Sequence, residues 1–117
     1  MNGSERSLIR QEKNVVHSLL SALKKETQVS IYLFNDLITV TKQATNAFNV
    51  LFVIKWHSNA SGQDISIQKY QDNSILIKNP RKISEHHLFT FNFPYLRDSW
   101  FEEIERAINF WKKSQEK

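Results

Sequence analysis

The stretch Val29-Ser30-Ile31-Tyr32-Leu33-Phe34-Asn35-Asp36-Leu37-Ile38-Thr39-Val40-Thr41 decides the fold class. Side chains alternate across an extended chain, so Val29, Ile31 and Leu33 share one side and Ser30, Tyr32 and Phe34 the other. β-Branched and aromatic residues fill both sets, as a pleated, half-buried surface requires. Asn35-Asp36 then interrupts with side chains that hydrogen-bond their own backbone in tight turns. Alternation resumes from Leu37 to Thr41. Two such runs around an Asn-Asp pair predict a β-hairpin.

Downstream, Val50 to Trp56 is a largely apolar run, broken by the loop-forming cluster Ser58 to Gly62. Ile65 and Ile67 alternate with Ser66 and Gln68. Gln71-Asp72-Asn73 reads as a turn, and Ile75 to Ile77 as a short strand ending near Asn79-Pro80. Phe89, Phe91 and Phe93 fall on one side of a last strand and are expected to face the core.

The period then changes. Trp100, Ile104, Ala107, Ile108 and Trp111 recur at helical spacing and form one apolar stripe. Pro94 suits the first turn of that helix, where its missing N–H costs nothing. Ser99 and Glu102 have the spacing of a capping box, which allows a later start. Each buried Trp would remove about 150–250 Å² from water, an upper bound of about 4–6 kcal/mol. The helix is therefore expected to be integral to the core. Upstream the pattern is ambiguous. Val15, Val16, Leu19, Leu20 and Leu23 fit a helix, whereas Val15, Leu19 and Leu23 would share a strand face with His17 and Ser21.

The composition suits one soluble globular domain. The chain has 117 residues, 40% hydrophobic and 24% charged, and two Gly and two Pro leave no low-complexity linker. It has no Cys, which excludes disulfides and thiolate metal sites. No apolar run is long enough to span a bilayer. Met1 to Arg10 is polar and unlike a secretory signal, so a cytoplasmic location is expected. The net charge of +4 suits an anionic partner.

The hairpin and the helix together resemble the pleckstrin-homology (PH) domains that follow the catalytic Dbl-homology (DH) helices of Rho-family guanine nucleotide exchange factors. Tyr32-Leu33-Phe34-Asn35-Asp36-Leu37-Ile38 is similar to the hairpin that joins the second and third strands in those domains. Trp100, Ile104 and Ala107-Ile108 resemble their C-terminal helix with its characteristic Trp. Arg6-Ser7-Leu8-Ile9-Arg10 resembles the segment that ends the DH domain. The resemblance implies a mainly β fold: a seven-stranded antiparallel barrel or sandwich capped by one C-terminal α-helix. Its strands would lie at about 14–20, 28–35, 37–43, 48–57, 64–70, 74–79 and 86–93, with the helix at about 95–113. That register overrules the helical spacing near Val15. It makes residues 1–12 a linker or the tail of a preceding domain and 13–115 the PH domain.

The family's lipid chemistry is only partly present. PH domains that bind phosphoinositides tightly carry a basic residue late in the first strand and a basic-x-basic pair in the second. His17 stands at the first position, and Gln28 and Ser30 at the pair, none of them a fixed cation. Arg10, Lys13, Lys24, Lys25 and Lys42 remain as scattered charges near the first loop. Each contributes roughly 1 kcal/mol beside an anionic membrane, and three or four sum to near-millimolar affinity. The expected lipid-binding residues are therefore Lys13, His17, Lys24, Lys25 and Lys42, with weak, salt-sensitive, headgroup-tolerant binding at the membrane periphery.

No catalytic constellation, metal set or cofactor motif is present. His86 and His87 are adjacent and would face opposite sides of a strand, so they cannot ligate one metal together. Glu102, Glu103 and Glu105 read as a solvated helix face. The chain is expected to be a non-enzymatic binding module without a cofactor. Its implied partners are anionic lipids and a small GTPase or another protein, not nucleic acid. A phosphotyrosine-binding or FERM-lobe type of the same superfold, or the PH domain of a GTPase-activating protein, is the alternative.

Overall fold

The Asn35-Asp36 hairpin is formed as read. Leu33 lies opposite Ile38, Ile31 opposite Val40 and Val29 opposite Lys42. The computed structural model describes residues 6–42, 49–56, 65–78 and 86–114, with only the backbone of Leu23 and Lys24. The loop at Ser58 to Gly62 and the strand end near Asn79-Pro80 lie outside the described residues.

Among the described residues, seven strands precede one helix: β1 (Leu8–Leu19), β2 (Ala22–Phe34), β3 (Leu37–Lys42), β4 (Asn49–Lys55), β5 (Ser66–Tyr70), β6 (Ser74–Lys78), β7 (His87–Thr90) and α1 (Pro94–Ser114). They form a single sheet in the order β4-β3-β2-β1-β7-β6-β5. Every neighbouring pair is antiparallel. The later strands and the helix fall close to their expected places.

The first two strands do not. β1 opens at Leu8 rather than near 14, so residues 8–12 are its first half. β2 opens at Ala22 rather than near 28, and Leu19 pairs with Ala22 across a turn at Leu20-Ser21. The helical spacing of Val15 to Leu23 is thus overridden by pairing with β2 and β7. A bulge explains why the alternation was obscured. Lys13 and Asn14 stand between the pairs Glu12–Ile31 and Val15–Val29, and Asn14 takes a left-handed φ of 61°. Such a bulge inserts a residue and resets which side each following side chain faces.

The core lies within the curve of the sheet. Val15, Val29, Ile31, Leu33, Ile38, Val40, Ile75, Ile77 and Phe89 face it, and Trp100, Ile104, Ala107 and Ile108 of α1 close it. Trp111, the last of the expected stripe, is only partly buried. α1 starts at Pro94, not near Ser99, because the Phe93 carbonyl accepts from the N–H groups of Leu96 and Arg97. Phe93 departs from the expected apolar side. β7 ends at Thr90, the chain turns into the helix, and Phe93 is 50% exposed, stacked on Tyr95.

Trp56 is a core residue that the periodicity does not single out. It is fully buried, its Nε1–H donates to the Asn35 carbonyl (3.0 Å), and its backbone N–H donates to the Asp36 carbonyl. The Asn35-Asp36 turn is held on its other side by the chain start. The Arg6 guanidinium forks onto the Asp36 carboxylate (3.0 and 2.9 Å), and the Ser7 N–H donates to Asn35 Oδ1 (3.0 Å).

Candidate functional site

The expected lipid site centres on the β1–β2 connection, so its geometry is set by how these strands meet. They meet through the turn at Leu20-Ser21, and the segment expected as a loop is strand. Lys25 is exposed on β2, where the register slips between His17–Thr27 and Leu19–Ala22. The side chain of Lys24 lies outside the described residues. Lys13 is exposed in the β1 bulge. Lys42 is exposed at the end of β3, beside Val29 of β2, whose other neighbour is Val15 of β1. Lys13 and Lys42 therefore flank β2 from its two sides, with Lys25 further along it toward the turn.

His17 belongs to a different surface. It lies two residues from the core residue Val15 and turns inward with it. Its Nε2 is 2.9 Å from His87 Nδ1, a hydrogen bond whose donor is set by the ring tautomers. Phe52 of β4 stacks on His87 at 4.7 Å and tilts against His17 at 4.9 Å, while Phe89 lies 5.2 Å from His17. These rings bridge β4 to β1 and β7 across the inner side of the sheet. Burial, with a smaller contribution from His87, lowers the His17 pKa to about 4. At neutral pH it carries no charge to offer a phosphate. The pair position of β2 is equally uncharged: Gln28 donates to Asn14 Oδ1 (3.2 Å) and Ser30 is buried.

Arg10 is occupied elsewhere. Its guanidinium lies 4.9 Å over the Trp100 ring and donates to Ser99 Oγ at 2.6 Å. Glu12 accepts from Trp100 Nε1 at 3.0 Å. The early half of β1 thus fastens the helix to the sheet. Glu12 and Lys13 are consecutive in this strand. The His17–His87 contact joins residues far apart in sequence and has no local signal. Among the described residues there is no group of three or more His, Cys, Asp or Glu placed to hold a metal. Nor, among the described residues, is any helix long and apolar enough to cross a membrane.

Among the described residues, seven antiparallel strands in one curved sheet, with one C-terminal helix closing its core through Trp100, define the architecture. Solved structures share it. A structure of the Vav1 exchange factor with its PH and C1 domains superposes with a TM-score of 0.69 at 13% identity, over 86% of this chain and 25% of that one. The linker-DH/PH domains of p115-RhoGEF give 0.70 at 10% identity, over 91% and 30%. Human RhoA in complex with the DH/PH fragment of PDZRHOGEF gives 0.71 at 15% identity, over 89% and 29%. The chain has the pleckstrin-homology fold. It spans a quarter to under a third of these structures' own length. No family model and no curated protein sequence matches it.

The hairpin and the capping helix of the PH fold are both present. The β1–β2 connection is a tight turn where a loop was expected, and the inward position on β1 is a neutral histidine.

Proposed function

We propose that this PH domain is a non-catalytic module of a Rho-type guanine nucleotide exchange factor. In this reading it orients a neighbouring catalytic domain through weak contacts with anionic membrane and through contacts with a small GTPase. The observation that carries the reading is the fold likeness, over most of this chain, to DH/PH fragments of exchange factors. One of those fragments is in complex with human RhoA. The surface chemistry supports the modest role of lipid. Cations Lys13, Lys25 and Lys42 are exposed around β2 on three separate strands, and His17 is neutral. Specific headgroup recognition needs several charge-assisted hydrogen bonds converging on phosphates. Scattered surface lysines supply attraction without selectivity.

Two binding measurements test this. Co-sedimentation with phosphatidylserine vesicles is expected to be detectable at low salt, lost at high salt, and indifferent to the phosphoinositide isomer added. Titration with Rho-family GTPases in their GDP and GTP-analogue forms is expected to yield a complex with at least one. Retention of a peptide ligand with neither lipid nor GTPase bound would replace this reading with a phosphotyrosine-binding type of the same superfold.

A further inference from the structure

The outer side of β1, β6 and β7 holds a recess that the lipid and GTPase reading does not use. Ile75 and Phe89 point into the core, so their sequence neighbours Ser74 and Thr90 point outward. With Ser18 of β1 they form the floor of a cavity of about 720 Å³. Glu26 of β2, Tyr70 at the end of β5 and Asp72 of the β5–β6 turn stand at its rim.

The charge of the recess is opposite to that of the chain. Lys and Arg number 16 against 12 Asp and Glu overall, yet among the described residues no Lys or Arg lines this cavity and two carboxylates do. Its floor is poised to accept a hydrogen bond. Ser74 Oγ and Thr90 Oγ1 satisfy each other at 2.8 Å. Ser18 is 4% exposed, and its hydroxyl has no hydrogen-bond partner among the described residues. Buried hydroxyls are normally partnered, so an unpaired one facing a cavity marks where a ligand donor would sit.

The wall is rigid. The buried Arg97 guanidinium donates to the carbonyls of Gln71 (3.2 Å) and Ser74 (2.9 Å), which pins the turn that carries Asp72. The charge of Arg97 is balanced on its own side by Asp98, 2.7 Å from its Nε. A pinned turn presents Asp72 without the ordering cost that a free loop would incur.

We propose that this recess binds the ammonium or guanidinium group of a cationic ligand, such as a Lys or Arg side chain of a partner. The cation sits between Glu26 and Asp72, donates to Ser18 Oγ, and rests its apolar stem on the Tyr70 ring. An anion is repelled by both carboxylates, and a neutral amide gains nothing from them.

The test is an NMR titration of the full 117-residue chain with N-acetyl-L-argininamide, with spermidine, and with the neutral N-acetyl-L-glutamine amide as control. Saturable shifts at Ser18, Asp72, Ser74 and Thr90 are expected with the cations, with Kd in the region of about 1–10 mM, and none with the control. Glu26→Gln and Asp72→Asn are each expected to weaken binding about fivefold, as for exposed ion pairs, and Ser18→Ala by a similar factor. Stronger shifts with argininamide name a protein side chain as the source, and stronger shifts with spermidine a polyamine; either supports the site. Equal response to the neutral control, or cation shifts unchanged in well-folded Glu26→Gln and Asp72→Asn, would overturn it.

Discussion

Trp100 contributes through its polar edge as well as its area. Its ring is fully buried against Phe91, while its Nε1–H reaches Glu12 and its face lies under Arg10. Glu12→Ala removes the acceptor and leaves a buried donor unpaired, a cost of about 1–3 kcal/mol. Glu12→Gln keeps an acceptor at the same reach and is expected to lose less than half as much. Urea denaturation of the two variants checks this, and equal stability in both would show that the bond is immaterial. His17 makes a pH-dependent contribution. Its folded pKa, about 4, lies below the usual histidine value of 6.5. Above 6.5 both folded and unfolded chains are neutral there, so the packing is fully retained. As pH falls from 6.5 toward 4, the unfolded chain takes up a proton that the folded chain refuses, and stability declines. His17→Gln is expected to flatten that decline, read as the urea midpoint at several pH values across the window.

At the scale of elements, β1 is one strand with two duties. Its later half pairs with both β2 and β7, its earlier half pairs with β2 and holds the helix, and Arg6 and Ser7 just before it grip the Asn35-Asp36 turn. Starting the chain at Lys13 removes Arg6, Ser7, Arg10 and Glu12 together, with their bonds to Asp36, Asn35, Ser99 and Trp100. Such a truncation is expected to cost more than about 3 kcal/mol, since several buried or charge-assisted bonds go at once. A chain from Lys13 whose thermal melt stays cooperative near that of the full chain would refute this. The same strand shows where sequence reasoning stops. The β2–β3 hairpin and the helical stripe are legible because their apolar residues keep a period, and β6 because its short apolar run follows turn residues. β1 hides its period behind the Lys13-Asn14 bulge, and Leu19, Leu20 and Leu23 mimic a helix around a turn. The early part of β2 carries Lys24, Lys25 and Glu26 in a row, with no alternation to read. The candidate lysines were visible as charges, but their arrangement depended on that unread turn. The His17–His87–Phe52 cluster and the Ser18 recess join separate strands and leave no trace in any one of them.

For the whole molecule, charge and shape pull apart. A net charge of +4 favours approach to an anionic membrane, yet the described cations Lys13, Lys25 and Lys42 are spread along separate strands. In the proposed reading, long-range attraction sets how often the domain reaches a surface, and the spread of these lysines sets how briefly it stays. Three exposed lysines at roughly 1 kcal/mol each supply about 3 kcal/mol, short of what would localise a protein by itself. Replacing Lys13, Lys25 and Lys42 together by Glu reverses their charge without disturbing the core, because all three are exposed. The triple variant is expected to lose vesicle binding at low salt while keeping its melting temperature within a few degrees. Each single change is expected to weaken vesicle binding by about fivefold or less, and by similar amounts, since no one lysine anchors a headgroup. One lysine whose loss alone abolished binding would instead reveal a built site at that position.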